Sequence, residues 1–151
     1  MGRPQPSLKA RALNYLARRE HSRLELEHKL ARFAEDEAEV TRVLDELQAR
    51  GWLSEQRFVE QLVQARRGKY GSRRLAHELR EKGISEAIIE TASADYREQD
   101  LVTARAVWQR KYGQVPKDAQ ERGRQMRFLQ SRGFDMEVIR KVVQGSEELS
   151  E

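Results

Sequence analysis

Apolar residues recur along this chain at spacings of three and four positions, and no stretch alternates β-branched with polar residues over a strand's length. That period predicts amphipathic α-helices and argues against β-strands. Only three prolines occur, and none of them lies inside an apolar stripe. The pattern therefore predicts an all-α protein.

Start and stop residues divide the pattern into nine predicted helices. Ser22-Arg23-Leu24-Glu25 has the residues of a capping box, in which the hydroxyl covers one amide and the Glu reaches back. The predicted N-terminal starts and caps are Ser7, Ser22, Ser54, Ser72, Ser85, Asp118 and Asp135. Glycines 51, 83 and 133 predict helix ends, because a glycine after a helix adopts a left-handed conformation easily. We expect helices four and seven to end at Lys69-Tyr70-Gly71 and Lys111-Tyr112-Gly113.

Four aromatic residues on these apolar stripes are predicted to be core residues. They are Trp52, Phe58, Trp108 and Phe128, and Phe33 shares an apolar helix face with Leu26 and Leu30. Tyr70 and Tyr112 differ, because each follows a Lys and precedes a glycine. They fit either packing contacts within the fold or stacking on a base or a partner side chain.

The predicted helices repeat in sets of three. Leu30, Leu79 and Leu129 recur at intervals of roughly 50 residues, and Gly83-Ile84-Ser85 matches Gly133-Phe134-Asp135. We predict three tandem three-helix repeats over residues 8–52, 53–97 and 98–144. Stacked repeats of this kind form an elongated, curved array. Residues 1–7 and 145–151 are predicted to be flexible tails.

Composition excludes several classes of protein. The chain has 151 residues and no cysteine, so disulfides and Cys-ligated zinc are absent. It has neither a membrane-length apolar run nor a signal-like N-terminus, which predicts a cytoplasmic protein. His21, His28 and His77 form no metal-ligand pattern, and no phosphate-binding loop or nucleophile elbow occurs. We therefore predict no metal, no cofactor and no enzymatic activity.

Charge alternates along the chain although the net charge is only +4. Basic and acidic blocks follow one another over residues 1–34, 35–64, 65–82, 83–101, 102–144 and 145–151. A solvated helical protein with 36% charged residues shows such blocks by chance in some cases. Alternatively, each repeat contributes one basic and one acidic element.

Three basic clusters occupy equivalent places in the three repeats and are the predicted binding residues. They are Arg18, Arg19 and Arg23; then Arg66, Arg67, Lys69, Arg73 and Arg74 around Tyr70; then Arg110, Lys111, Arg122, Arg124 and Arg127. Ser72 and the amides after it are candidates to hold a phosphate beside them. Their recurrence favours a long anionic ligand, a nucleic acid strand or a nucleoprotein, over a merely solvated surface.

At these residues the sequence resembles the RecX family, bacterial regulators of the RecA recombinase. The similar stretches are Ala17-Arg18-Arg19-Glu20-His21-Ser22, Gly51-Trp52-Leu53-Ser54, Lys69-Tyr70-Gly71-Ser72-Arg73-Arg74-Leu75, Lys111-Tyr112-Gly113 and Arg132-Gly133-Phe134. Together they run from about residue 8 to residue 143. The chain departs from the family where a proline and a branched residue are common, since Ser72 and Arg74 stand there.

The resemblance implies a monomeric protein that binds RecA–single-stranded DNA filaments. It implies inhibition of RecA's ATP hydrolysis, strand exchange and co-protease activity, and so damping of homologous recombination, DNA repair and the SOS response. Blocking of the filament groove, blocking of extension, and disassembly all remain open as mechanisms. Two other hypotheses stand beside it: a helix-turn-helix-type protein that binds duplex DNA, and a scaffold that binds no nucleic acid.

Overall fold

The computed structural model describes residues 4–144, and these form helices and no strand. The α-helices of this range are α1 (Leu8–Arg18), α2 (Arg23–Leu30), α3 (Glu37–Ala49), α4 (Glu55–Arg66), α5 (Ser72–Glu81), α6 (Glu86–Arg97), α7 (Asp100–Lys111), α8 (Ala119–Ser131) and α9 (Met136–Val143). A 3-10 turn, Ala31–Phe33, follows α2. The predicted all-α class is confirmed. Of the predicted tails, residues 1–3 and 145–151 lie outside the described residues.

Contacts divide the chain into two compact bodies. Among the described residues, the first body contains 4–62 with 81–84, and the second contains 63–80 with 85–144. The division falls within α4 and α5 and does not follow the predicted repeat boundaries, which stay a prediction. Within residues 4–144, no helix has both the length and the apolar character needed to cross a membrane.

The first body packs α1, α2 and α3 around leucines. Leu26, Leu30, Leu44 and Leu47 are fully buried, with Ala12 of α1 between them. Ser7 caps α1 by accepting a hydrogen bond from the Ala10 amide, at 3.1 Å. The capping box at the start of α2 is present as predicted, with both of its hydrogen bonds. Local capping and the buried stripe therefore specify the same helix starts.

The second body has a hydrophobic core between α7, α8 and α9. Ala104, Leu129, Phe134 and Ile139 are fully buried there. Gln125 is also buried, and its amide accepts a hydrogen bond from the Trp108 indole (2.8 Å) and donates one to the Gln114 carbonyl (3.0 Å). A polar side chain is stable in this core because both ends of its amide are paired.

Two aromatic residues that the sequence places on apolar helix faces are exposed. Trp52 is 43% exposed and Phe33 is 36% exposed. Trp52 follows the last turn of α3, where its amide donates to the Leu47 carbonyl, and the Arg50 guanidinium lies 5.2 Å from its ring. Phe33 lies on the 3-10 turn with Arg11 3.7 Å from its ring. Neither residue lies in an α-helix, so α-helical spacing does not predict which way its side chain points. Phe58 is buried as predicted, and Trp108 and Phe128 are half-buried.

The two Lys-Tyr-Gly tripeptides have different backbones. Helix α7 ends at Lys111 as predicted, and Gly113 has a left-handed φ of 68°. Helix α4 ends earlier, at Arg66, and Gly68 takes the left-handed conformation with a φ of 79°. The predicted end at Gly71 is therefore wrong, and Gly71 is required for a different reason, a close backbone contact.

Candidate functional site

In the second body, the segment between α4 and α5 lies directly against the turn between α8 and α9. The Gly71 amide donates to the Arg132 carbonyl (2.8 Å), and the Arg73 amide donates to the Gly133 carbonyl (3.1 Å). A Cβ on Gly71 would lie 2.3 Å from the Gly133 oxygen, which no side chain tolerates. This backbone contact holds the predicted basic cluster of the second repeat against the turn between α8 and α9.

The start of α5 is occupied by a carboxylate of the protein itself. Asp100 is buried, and it accepts hydrogen bonds from the Ser72 amide (3.1 Å) and the Ser72 hydroxyl (2.5 Å). Burial raises the pKa of Asp100, while the hydrogen bonds from Ser72 oppose that rise. The predicted phosphate site at Ser72 is therefore wrong, because both of its donors are used within the fold.

Tyr96 holds the end of α4 and the following turn together. Its hydroxyl lies 2.5 Å from the Tyr70 carbonyl oxygen and 2.9 Å from the Arg66 carbonyl oxygen, and it can donate its proton to either. Burial, together with the negative charge of Asp100, raises the pKa of Tyr96 to about 12. The hydroxyl therefore stays protonated and remains a donor at neutral pH.

The Tyr70 ring is covered by one of the predicted binding residues. The Arg74 guanidinium lies 3.9 Å from the ring centre. Glu78 accepts hydrogen bonds from Arg66 (2.9 and 3.1 Å) and is paired more loosely with Arg74 (3.5 Å). Arg66 and Arg74 are therefore partly neutralised, and packing within the fold is favoured over base stacking for Tyr70.

Beside this turn lies a groove lined by four cations. Its volume is about 410 Å³, and it is lined by Lys69, Arg110, Lys111 and Arg132 together with Val107 and Phe128. The Lys111 ammonium lies 4.6 Å and the Arg132 guanidinium 5.3 Å from the centre of the Phe128 ring. Arg110 donates to the Gly68 carbonyl at 3.3 Å. None of the four cations has an ion pair with a carboxylate among the described residues.

The groove contains three of the predicted cations and two residues that the sequence reasoning missed. Lys69, Arg110 and Lys111 lie together in it. Arg132 is absent from the predicted binding residues, and Phe128 is predicted to be a core residue. The sequence does contain a signal for Arg132, because a cation precedes the helix-ending glycine in two repeats, Lys82 before Gly83 and Arg132 before Gly133. The remaining predicted cations of this body, Arg67, Arg73, Arg122, Arg124 and Arg127, are exposed and do not line the groove.

In the first body, two of the three predicted cations are paired internally. Arg19 donates to both carboxylate oxygens of Glu25, at 2.6 and 3.2 Å. Arg23 pairs with Asp45 (2.8 Å) and Glu27 (3.3 Å) and also binds Gln48. Arg18 is exposed and has no ion pair within residues 4–144. This cluster is consequently much less available to a ligand than its sequence suggests.

Glu25 is the centre of that network. Burial alone would raise its pKa, but the hydrogen bonds from Arg19 and the Ser22 amide, with the charges of Arg19 and Lys82, lower it to about 2. The neighbouring His21 is buried, with Nδ1 3.0 Å from the Arg19 carbonyl oxygen and Nε2 3.0 Å from the Lys29 ammonium. Burial lowers the pKa of His21, so its ring is neutral, donates from Nδ1 and accepts at Nε2. His21 therefore has the structural role predicted for it.

These features define an all-α protein of tandem three-helix repeats that carries an unneutralised basic groove. Three family models match it in order: the first three-helix domain of RecX at residues 9–47, the second at 54–92 and the third at 98–143. The chain belongs to the RecX family.

Individual relatives agree with this assignment. The chain is 51% identical to the regulatory protein RecX of Leptothrix cholodnii over 93% of this chain and 90% of the relative. It is 43% identical to that of Ralstonia pickettii, over 96% and 91%. The crystal structure of RecX from Lactobacillus salivarius superposes with a TM-score of 0.76 at 20% identity, covering 91% of this chain and 92% of that one. The fold is therefore shared at low sequence identity.

Proposed function

We propose that this protein is a non-enzymatic regulator of RecA that binds RecA–single-stranded DNA filaments in the cytoplasm as a monomer. It inhibits RecA's ATP hydrolysis, strand exchange and co-protease activity, and so restrains recombination and the SOS response. Membership of a family of regulatory proteins supports this proposal. The observation that carries it is the groove of the second body, which is lined by four cations that have no ion pair with a carboxylate in the part of the chain that the structure describes.

The electrostatics of that groove fit a nucleoprotein target. An unpaired cation in a concave site keeps its attraction for a polyanion, whereas one paired to a buried carboxylate has lost most of it. DNA phosphates bind such cations by releasing counterions, so binding weakens as salt rises. Tandem repeats can also engage several filament protomers, and modest contacts then add by multivalency.

The test is the ATPase rate of the cognate RecA on single-stranded DNA while this protein is titrated in. We expect wild type to inhibit. The variant Lys69→Glu/Lys111→Glu should need about tenfold more protein for the same inhibition, because two phosphate-binding charges are reversed. The matched control is Arg122→Glu/Arg124→Glu, which makes the same charge change in the same body but outside the groove.

The titration also separates the mechanisms. Inhibition far below one molecule per RecA supports blocked extension or disassembly, and inhibition near equal amounts supports occupancy of the filament groove. A folded wild type that does not inhibit contradicts the regulator proposal. Tighter binding to duplex DNA than to the filament would favour the helix-turn-helix-type alternative. Equal weakening by both charge-reversal variants would show that the groove is not the binding site.

A further inference from the structure

The groove of the second body combines charge with an apolar wall. Lys69, Arg110, Lys111 and Arg132 line it together with the Phe128 ring and Val107. Cations alone would suit either an acidic protein surface or a nucleic acid backbone. An acidic protein surface would gain only apolar contact from an aromatic ring beside the cations, whereas a nucleotide presents a phosphate and a flat base that can use both features together.

We propose that this groove holds one nucleotide of a single strand, with the phosphates on the four cations and the base against Phe128 and Val107. The inference deepens the proposed function and rests on it for the presence of DNA. It assigns this groove to the DNA, and not to the RecA protein, within the filament.

The size of the groove supports a single unstacked nucleotide. A volume of about 410 Å³ lies in the range of pockets that take one small molecule, roughly 300–1,000 Å³. Bases in a duplex are stacked and paired, so they cannot enter such a groove. Bases of a single strand are free to leave the stack and lie on an aromatic side chain.

The environment of Phe128 fits that role better than the environments of other exposed or half-exposed aromatics. Tyr112 meets the Phe128 ring edge-on, with centres 5.6 Å apart and planes at 82°, which fixes the orientation of the ring. Tyr70 is covered by Arg74 at 3.9 Å. The two cations beside Trp52, Lys9 and Arg50, both pair with Glu46, at 2.8 and 3.2 Å. Arg132 also lies 5.5 Å from the Tyr70 ring. Of these three rings, only Phe128 has neighbouring cations, Lys111 and Arg132, that all lack an ion pair among the described residues.

The groove is also held in shape before any ligand arrives. The backbone contact of Gly71 with Arg132, at 2.8 Å, fixes the segment after Lys69 against the turn that carries Arg132. Arg110 binds the Gly68 carbonyl at 3.3 Å, next to Lys69. A preformed site loses less conformational freedom on binding than a mobile one.

The experiment compares two labelled strands of equal length and charge, oligo(dT) and a strand of abasic deoxyribose phosphates, by fluorescence anisotropy at low ionic strength. We expect wild type to bind oligo(dT) about tenfold more tightly than the abasic strand. Phe128→Leu keeps an apolar side chain but no ring, so this ratio should fall to about one while abasic binding is unchanged. Phe128→Tyr keeps the ring and should keep the ratio.

Phe33→Leu is the matched control, because Phe33 is a partly exposed phenylalanine with Arg11 and Arg32 beside it but lies in the first body. It should keep the wild-type ratio. Lys69→Gln should weaken both strands equally and lower the salt dependence by about 0.7 log units per log unit of salt. The fold of each variant is checked by its thermal melt.

A wild-type ratio of one, a preserved ratio in Phe128→Leu, or a lost ratio in Phe33→Leu would overturn the inference. So would a poly-glutamate peptide of equal charge that binds as tightly as oligo(dT), since the groove would then suit an acidic protein. RecA inhibition is measured with the same preparations. If the wild type inhibits RecA but binds oligo(dT) and the abasic strand equally, the nucleotide site is refuted and the proposed function stands. If it prefers oligo(dT) about tenfold but does not inhibit RecA, the proposed function is refuted and the nucleotide site stands.

Discussion

The starts of α2 in the first body and α5 in the second carry similar basic residues but are held by different means. At α2, the Glu25 side chain closes the capping box and also binds the Arg19 guanidinium. At α5, the carboxylate of Asp100 binds Ser72, and the preceding Gly71 is held by a backbone contact to Arg132. An ion pair fixes the first start, whereas a neutral serine and the backbone fix the second.

This difference decides which cations are left for a ligand. The carboxylate that caps α2 neutralises a predicted binding residue, so binding and stability compete for the same charge. Within residues 4–144, the carboxylate at α5 binds Ser72 and forms no ion pair with a cation, and the four cations of the nearby groove have no ion pair either. Clusters that look alike in sequence therefore differ in how many of their cations are left without an ion pair, because their acidic neighbours lie in different places.

The largest expected effect comes from breaking the backbone contact of the second body. Gly71→Ala places a methyl group 2.3 Å from the Gly133 carbonyl oxygen, and neither backbone can move without losing a hydrogen bond. We expect a loss of about 3 kcal/mol in the free energy of unfolding, typical of severe overpacking. Urea denaturation measures it.

Gly68→Ala is the control for that substitution. Gly68 has a left-handed φ of 79°, but a Cβ there would meet no atom within 4 Å. Only the backbone strain of alanine remains, about 1 kcal/mol. Gly71 has no left-handed φ, so a loss at Gly71 no larger than the loss at Gly68 would contradict the close contact as the reason for glycine at residue 71.

The next largest effect concerns the ionic network of the first body. Glu25→Gln keeps the shape of the side chain but removes the charge that Arg19 and Lys82 face, at 2.6 and 3.6 Å. We expect a loss of about 2 kcal/mol in the free energy of unfolding at pH 7, as for other hydrogen bonds to charged groups.

The pH dependence of that loss has a definite sign. The folded-state pKa of Glu25 is about 2, below its ordinary value of 4.5, so the ionised carboxylate stabilises the folded state. This stability is complete above about pH 4.5 and is lost as the pH falls toward 2. The wild type and Glu25→Gln should therefore converge in acid, and a difference that persists at pH 2 would contradict the assigned pKa.

Sequence alone predicts what local rules decide. The helix periods, the capping box at Ser22 and the left-handed glycines at 51, 83 and 133 are confirmed because each depends on residues a few positions apart. The identical tripeptides at residues 69–71 and 111–113 have different backbones, because Gly71 lies directly against the backbone of Gly133, a residue distant in sequence. No local pattern contains that contact.

The candidate site shows the same limit. The repeat predicts equivalent places for Lys69 and Lys111, but it does not predict that both line one groove. Pairing of Arg19 to Glu25 follows a helix cap, yet pairing of Arg66 to Glu78 and of Ser72 to Asp100 depends on how helices pack. Which cations are free is therefore a tertiary property, and so is the position of Arg132 beside Phe128.

The unpaired cations of the groove should contribute to DNA binding and not to stability. Lys69→Gln/Lys111→Gln should weaken single-stranded DNA binding about tenfold and lower its salt dependence by about 1.4 log units per log unit of salt. Its free energy of unfolding should change by less than about 0.5 kcal/mol, because neither ammonium has an ion pair in the described part of the chain.

Arg19→Gln should show the opposite behaviour. It breaks the pair with Glu25, so the free energy of unfolding should fall by about 1 kcal/mol, while DNA affinity changes less than about twofold. Anisotropy and urea denaturation measure both quantities for each variant. If Arg19→Gln weakened DNA binding as much as the double variant, the paired cluster of the first body would be a binding site after all.

The smallest expected effect is at Asp100. In Asp100→Asn, the side-chain oxygen still accepts from the Ser72 amide and the new NH₂ group can donate to the Ser72 hydroxyl oxygen, so we expect the free energy of unfolding to change by less than about 1 kcal/mol at pH 7.

Because burial raises the folded-state pKa of Asp100 above 3.8, ionising it disfavours the folded state. Wild-type stability relative to Asp100→Asn should therefore fall as the pH rises through that raised pKa. Relative to Glu25→Gln, wild-type stability rises over the acid range, so the two differences have opposite slopes. Urea denaturation of the three proteins from pH 2 to 7 measures both slopes. Slopes of the same sign would mean that the α5 start, like that of α2, depends on a charged carboxylate.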